Sequence, residues 1–184
     1  MGETEQLSGQ RITDPAQQPL LSPSREQAFE LLMHLSLNLP QPILLTGPLG
    51  IGKTRFLRSL DKQASHYAAT CYQVPVTGLS LERLLDTLRL KAEMDLQTSG
   101  ITAGSAGPGD IHGLLALYAR NRRVFLLLLD DAEGLLPGFL NALHQYAEMN
   151  PALKLVIALD EASMAEKQFS DAEFMKAAFP FDIP

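Results

Sequence analysis

The stretch Gly47-Pro48-Leu49-Gly50-Ile51-Gly52-Lys53-Thr54 is an unbroken G-x-x-x-x-G-K-[ST] pattern, and it constrains the fold of this chain more than any other feature. A loop of that spacing turns successive backbone N–H groups inward around an anion. It demands glycine wherever a Cβ would collide or φ must be positive. The context suits it: the apolar run Pro42-Ile43-Leu44-Leu45-Thr46 precedes the loop and reads as a buried strand, and a helix-compatible segment from Lys53 to His66 follows. In that setting Lys53 supplies charge to the β and γ phosphates of a nucleotide. The Thr54 hydroxyl serves Mg²⁺, and the helix N-terminus adds its dipole. Arg55, the next residue, is grouped with Gly47 through Thr54 as nucleotide-binding. Two plainer readings stand beside this one: a chance glycine-rich turn, and an intact loop that holds nucleotide for stability alone.

A second feature completes the pattern. Val124-Phe125 and four leucines end in Asp130-Asp131-Ala132-Glu133, an apolar strand followed by acids, which places a carboxylate next to Thr54 across a parallel sheet. Asp130 is the candidate for the Mg²⁺ shell. Asp131 stands where many ATPases carry a glutamate that orients and deprotonates the attacking water, and it is one methylene shorter. Glu133 is the second catalytic candidate, should the strand end earlier. An aspartate at a strand end also serves as an ordinary turn or cap residue. Asp160-Glu161 follows the later apolar strand at a position for a polar sensor of the γ phosphate, but an ionised carboxylate donates no hydrogen bond. An N-cap on a helix near Ala162 is the favoured reading there.

The rest of the chain alternates helices with strands. Residues 1–21 are rich in Gln, Thr, Ser and Pro and read as a disordered arm ahead of one core domain, 22–184. Ser24 is a candidate cap for a helix whose apolar positions are Ala28, Phe29, Leu31, Leu32, Leu35 and Leu39. Thr70 to Thr77 reads as a strand whose Pro75 points to a sheet edge or strand end. Ser80 opens a helix reaching Leu96, striped by Leu81, Leu84, Leu85, Leu88 and Leu90. A glycine-rich loop spans Thr98 to Gly109, Asp110 caps a helix to Arg120, and Val124–Leu129 and Leu153–Leu159 read as strands buried on both faces around a helix from Leu135 to Met149. A helix and a short strand, Phe179–Ile183, close the chain. This alternation predicts an α/β fold with a parallel sheet covered on both sides.

Charge and composition narrow the partners. With 15 basic and 21 acidic residues the formal charge is −6, which repels phosphate backbones and makes nucleic acid unlikely as a partner. The start of the chain carries neither the basic lead nor the apolar stretch of a signal peptide, which points to a cytoplasmic location. The longest purely apolar run, Val124 to Leu129, is far below the ~20 residues that cross a bilayer. Cys71 is a single thiol in a predicted strand and reads as buried and inert. His34, His66, His112 and His144 lie far apart, which argues against a transition-metal site. Arg120, Arg122 and Arg123 read as a solvated turn, with a contact to a neighbouring subunit's nucleotide as the alternative.

The helix before the loop, the Gly47–Thr54 motif, the Asp130-Asp131-Ala132-Glu133 box and the Leu153–Asp160 strand together resemble the AAA ATPase domain of the secretion-associated ExeA/GspA type. Similar modules occur in SPOR-containing, DamX-related cell-division proteins. The resemblance covers Ser22 to Pro184, and only the phosphate loop and acidic box are specific. It implies a three-layer P-loop NTPase of the ASCE class with five parallel strands in the order 5-1-4-3-2. It also implies ATP with Mg²⁺, and protein partners at the inner membrane or peptidoglycan reached through regions outside this chain. A nucleotide-linked homo-oligomer is a further implication. The departures weigh as much. No arginine follows Arg123, so the usual place of an arginine finger is empty, and the sequence stops at Pro184 just after the predicted fifth strand, leaving the helical lid absent. Three functions follow as alternatives: an ATPase that drives assembly of a cell-envelope machine, a nucleotide-gated scaffold without turnover, and a DNA-linked AAA helper of transposition or replication.

Overall fold

The structure is a computed structural model that describes residues 22–76, 79–101, 110–164 and 172–184. The arm at 1–21 and the glycine-rich part of the Thr98–Gly109 loop lie outside the described residues. Helix α1 (Pro23–Asn38) is capped by Ser22 and not by Ser24: the Ser22 hydroxyl accepts from the Arg25 N–H, and Pro23 takes the first helical position, where no donor is missed. Its core face is Phe29, Leu32, Met33 and Ser36, whereas Leu31 is 52% exposed. Ser36 is tolerated inside because its hydroxyl donates to the Leu32 carbonyl one turn back.

Strand β1 (Ile43–Thr46) is buried along its whole length and leads through the loop into α2 (Lys53–Ala64), which ends in a 3₁₀ turn at Ser65–Tyr67. Then come β2 (Ala69–Pro75), α3 (Leu81–Thr98), α4 (Ile111–Arg120) and β3 (Val124–Asp130). After them follow α5 (Pro137–Glu148), β4 (Leu153–Ala158), the single turn α6 (Glu161–Met164), α7 (Glu173–Ala177) and β5 (Phe179–Asp182). Helix α5 starts two residues later than its apolar run because Leu135 and Leu136 are extended and Pro137 begins the helix. In α3 the buried positions are Leu84, Leu88, Ala92 and Leu96, while Leu90 faces out.

The strands pair in parallel in the order β2-β3-β4-β1-β5, which is 5-1-4-3-2 read from the other edge. Pro75 closes the edge strand β2, where a missing N–H costs no ladder bond. Alternate residues of each strand feed opposite layers. Ile43, Leu45, Leu126, Leu128, Val156 and Phe181 pack against α1 and α2. Leu44, Phe125, Leu127, Leu129, Leu155 and Ile157 pack against the α3–α5 and α7 side. The apolar run of β3, and that of β4 after Lys154, are continuous because both faces are covered.

One turn departs from the sequence reading. Arg122 takes a left-handed φ of 53° and is exposed, as a solvated turn requires, but Arg123 is not solvated. Its guanidinium donates to both Asp95 oxygens at 2.8 and 3.1 Å, reaches Thr70 and lies over the Tyr118 ring, whose hydroxyl also donates to Asp95 at 2.7 Å. This network joins α3, α4 and β2 to the turn before β3, so Arg123 is committed within its own domain. Hydrogen bonds to charged groups of this kind are worth roughly 1.5–3 kcal/mol. We predict that Asp95→Ala lowers the unfolding free energy by about 2 kcal/mol, measured by urea titration, because Arg123 Nη2 and the Tyr118 hydroxyl both lose their charged acceptor.

Candidate functional site

The site lies at the carboxyl edge of the sheet, where β1 and β3 end on either side of β4. Gly47 leaves β1 with φ 145°, and a Cβ there would stand 2.9 Å from Ile51 Cγ2, so only glycine lets the loop close on itself. Gly52 (φ 111°) turns the chain into α2 and serves as its N-cap. Between them Pro48, Leu49 and Gly50 face outward, with Leu49 86% exposed, and the Ile51 N–H returns to the Pro48 carbonyl at 3.2 Å.

Lys53 opens α2 with its side chain only 9% exposed. Its ammonium folds back into the loop and donates to the Gly47 carbonyl at 2.8 Å and the Pro48 carbonyl at 3.3 Å. A third oxygen, Asp160 Oδ1, lies 3.6 Å away. One residue on, the Thr54 hydroxyl donates to Asp130 Oδ1 at 3.2 Å, so the loop and the acidic strand end meet as their spacing predicts. The second Asp130 oxygen accepts from the Gln73 amide of β2 at 3.2 Å. Burial raises the Asp130 pKa above 3.8, with the neighbouring Asp131 charge adding to the shift; the Thr54 hydrogen bond and Arg58 oppose it. Arg55 is half-buried in the first turn of α2.

Asp131 and Glu133 lie in the turn that follows. Asp131 is exposed, with a left-handed φ of 51°, and precedes the 3₁₀ turn Ala132–Gly134. Glu133 is half-buried, and its Oε2 is shut from solvent without a hydrogen-bond partner. Asp160 precedes α6 and its carbonyl accepts from the Ser163 N–H, as at a helix start, while its carboxylate Oδ1 lies 3.6 Å from the Lys53 ammonium. Among the described residues no group of three or more His, Cys, Asp or Glu could hold a metal ion. The oxygen donors Thr54 and Asp130 fit Mg²⁺, which binds through one or two protein oxygens and takes the rest from phosphate and water.

Sequence reasoning missed the residues that fasten this loop from a distance. Arg25 of α1 donates to the Ile51 carbonyl and, through Nε, to the Pro184 carbonyl at 3.0 Å. Thr46, fully inside, donates to the Asp182 carboxylate and to the Phe181 carbonyl at 3.3 Å. Gln73 had no signal beyond its place near the end of a predicted strand. Cys71 stands apart from the site: it is half-buried on β2, and burial together with the Asp61 carboxylate pushes its thiol pKa up, which keeps it inert.

A family model described as an AAA domain matches residues 37–170, spanning both the loop and the acidic strand end. The chain belongs to the AAA domain family. Comparison with curated proteins gives no match. Among solved structures, this AAA domain is similar to the Aeropyrum pernix ORC1 protein in complex with DNA, with 21% identity over 94% of this chain and 48% of that one and a TM-score of 0.52. It is also similar to Cdc6p from Pyrobaculum aerophilum, with 20% identity over 91% and 48% of the two chains and a TM-score of 0.53. A third, Drosophila ORC bound to DNA, gives 17% identity over 87% and 91%, with a TM-score of 0.51. The AAA domain spans about half the length of the first two. At these identities the likeness is one of fold.

The Asp130 shift has a measurable consequence. In the unfolded chain the carboxyl ionises near 3.8, and in the folded domain at higher pH. The folded state therefore holds more protons between the two values, and stability falls as pH rises through that window, leaving the full penalty in place at neutral pH. Asp130→Asn removes the penalty. Thermal denaturation of the nucleotide-free protein should find the variant more stable than the parent at pH 7, with the difference shrinking as the pH is lowered towards 3.8.

Proposed function

We propose that this AAA domain binds ATP with Mg²⁺, hydrolyses it slowly, and uses nucleotide state to govern assembly of a cell-envelope machine in secretion or cell division. The observation that carries the nucleotide reading is the Thr54–Asp130 contact at 3.2 Å beside a lysine folded into a glycine-hinged loop. Lys53 neutralises phosphate charge, the loop N–H groups and the start of α2 cradle it, and Thr54 with Asp130 hold the metal. Asp131 is the residue assigned to orient the attacking water, and Glu133 is its alternate. The envelope role rests on the resemblance to the ExeA/GspA type and to DamX-related modules. On this reading the domain acts in the cytoplasm, with partners at the inner membrane or peptidoglycan engaged through segments outside this chain.

Binding is tested by thermal shift. Nucleotide at 100 times its Kd should stabilise the fold by about 2.7 kcal/mol. Mg²⁺-ATP should shift the parent protein and leave Lys53→Ala unmoved; no shift in the parent would overturn the reading.

Slow turnover follows from the arginines. None follows Arg123, and Arg123 itself is bound to Asp95. An arginine finger contributes roughly 10³–10⁵ in rate. Steady-state phosphate release by the purified chain should therefore run well below about 1 s⁻¹. Rapid release, lost in both Asp131→Asn and Lys53→Ala, would show that the finger is dispensable. Exposed Arg120 and Arg122 are the remaining donors from this turn to a neighbouring copy, so a rise in specific activity with protein concentration would assign turnover to a homo-oligomer.

A DNA-linked role is the second reading, favoured by the DNA in the ORC1 and Drosophila ORC structures. The formal charge of −6 opposes it. Fluorescence anisotropy with labelled duplex DNA, in the presence of Mg²⁺-ATP and at low salt, separates the two: saturable binding selects the DNA role.

A further inference from the structure

The edge of the sheet opposite the phosphate loop carries a hollow of about 400 Å³. Because the five strands are parallel, their amino ends share this edge: Pro40 and Gln41 precede β1, Pro151 precedes β4, and Ala177 ends α7 ahead of β5. Helix α5 adds a wall through His144, Ala147 and Glu148. The volume falls within the roughly 300–1,000 Å³ of small-molecule sites. Lys154, the second residue of β4, belongs to the same lining, and it is the one position of that strand that is not fully buried. Among the described residues no carboxylate pairs with its ammonium, and burial alone pulls its pKa below the ordinary lysine value. A partly desolvated cation without a counter-charge weakens the fold at neutral pH, and an apolar residue would suit a strand between β3 and β1 better. The lysine therefore carries a cost that an anion in the hollow would remove.

We infer that this hollow binds a small monocarboxylic acid, with the carboxylate on Lys154 and an aliphatic body against Pro40, Ala147, Pro151, Leu153 and Ala177. A lysine is a point charge and matches one carboxylate, whereas the planar fork of an arginine would match phosphate as well. Among the described lining residues there is no second lysine or arginine to meet a further negative charge. Glu148 sets the limit from the other side. Its side chain is 64% exposed and its Oε1 lies 3.6 Å from His144 Nε2, so its charge stands at the more open wall while Lys154 is half-buried. A dicarboxylate or a phosphate ester entering the hollow meets this glutamate with its surplus charge. The remaining walls are prolines, alanines and a leucine, which reward an apolar body and offer little to a polar one. The site lies across the sheet from Lys53 and does not rest on the nucleotide reading.

Three probes of equal chain length test this: hexanoate, the uncharged hexanamide and the dicarboxylate adipate. Each is titrated at neutral pH into the parent, Lys154→Met and Glu148→Gln, and the backbone amide shifts of Gln41, Leu153 and Lys154 are followed by NMR. Hexanoate should bind the parent saturably at these amides, about tenfold tighter than hexanamide or adipate. Lys154→Met should weaken hexanoate by about tenfold, which is about 1.4 kcal/mol, and Glu148→Gln should bring adipate within about threefold of hexanoate. Equal binding of hexanoate and hexanamide, no shifts at these amides, or hexanoate affinity unchanged in Lys154→Met overturns the inference. Adipate that stays weak in Glu148→Gln overturns the limit assigned to that residue. Thermal denaturation without ligand is the second readout. Because the Lys154 ammonium is unpaired, Lys154→Met should melt no lower than the parent at neutral pH. A clearly lower melting temperature would show that the lysine already has a structural partner, and the inference would fall.

Discussion

The ammonium of Lys53 is the group around which the carboxyl edge of this sheet is built. A cation with a side chain only 9% exposed has to be surrounded by oxygens, and the domain supplies three of them from two segments. The Gly47 and Pro48 carbonyls come from the loop that the lysine itself closes, and the Asp160 carboxylate comes from the end of β4. These contacts hold the loop in a ring before any phosphate is involved. The loop in turn requires glycine at 47, because a side chain there would strike Ile51. Backbone hinge, lysine and counter-ion are thus one unit, and none of the three has a reason to exist without the others.

The same edge carries a cost at Asp130 that its neighbours only partly offset. Its carboxylate accepts from Thr54 and Gln73, yet burial and the adjacent Asp131 still raise its pKa. Arg58 and the Thr54 hydroxyl offset only part of this. Two carboxylate oxygens facing a hydroxyl from the phosphate loop suit a hard divalent cation, whose charge would relieve the repulsion between the two aspartates. The energetic strain and the metal-binding reading of Asp130 have a single cause.

Much of this architecture was legible in the sequence, and the reasons are local. The glycine spacing around Lys53 and the leucine run ending at Asp130 each encode backbone geometry within a few residues, so the strand, loop and helix and the Thr54–Asp130 meeting could be anticipated, while the sheet order came only from the resemblance to the ATPase family. Helix ends were less legible: Ser24 looked like the cap, but Ser22 followed by Pro23 is the better start, and Leu31 and Leu90 interrupt stripes whose true faces include small or polar residues such as Ser36 and Ala92. Arg123 was misread because its acceptor, Asp95, lies on α3, far away in sequence, and no local pattern announces that pair. The approach of Asp160 to Lys53 had no local signal either: its position before a helix fits a cap, and the crossing of β4 between β1 and β3 brings its carboxylate to the lysine.

Long-range fastening extends this logic to the back of the loop. Arg25 donates from the first turn of α1 to the Ile51 carbonyl and to the Pro184 carbonyl beyond β5, while Thr46 donates to Asp182 of that strand. The loop is therefore tied to the helix that precedes it and to the strand paired along the outer side of β1, as well as to its own lysine. A glycine-rich segment with several left-handed residues has a large conformational entropy to lose, and fixing its carbonyls from outside reduces what a ligand must order on binding. Because Arg25 bridges the loop and the chain beyond β5 through one guanidinium, a displacement of either carbonyl alters the geometry of the other bond. That shared guanidinium ties the phosphate loop to the chain beyond β5, on the side of β1 away from β4.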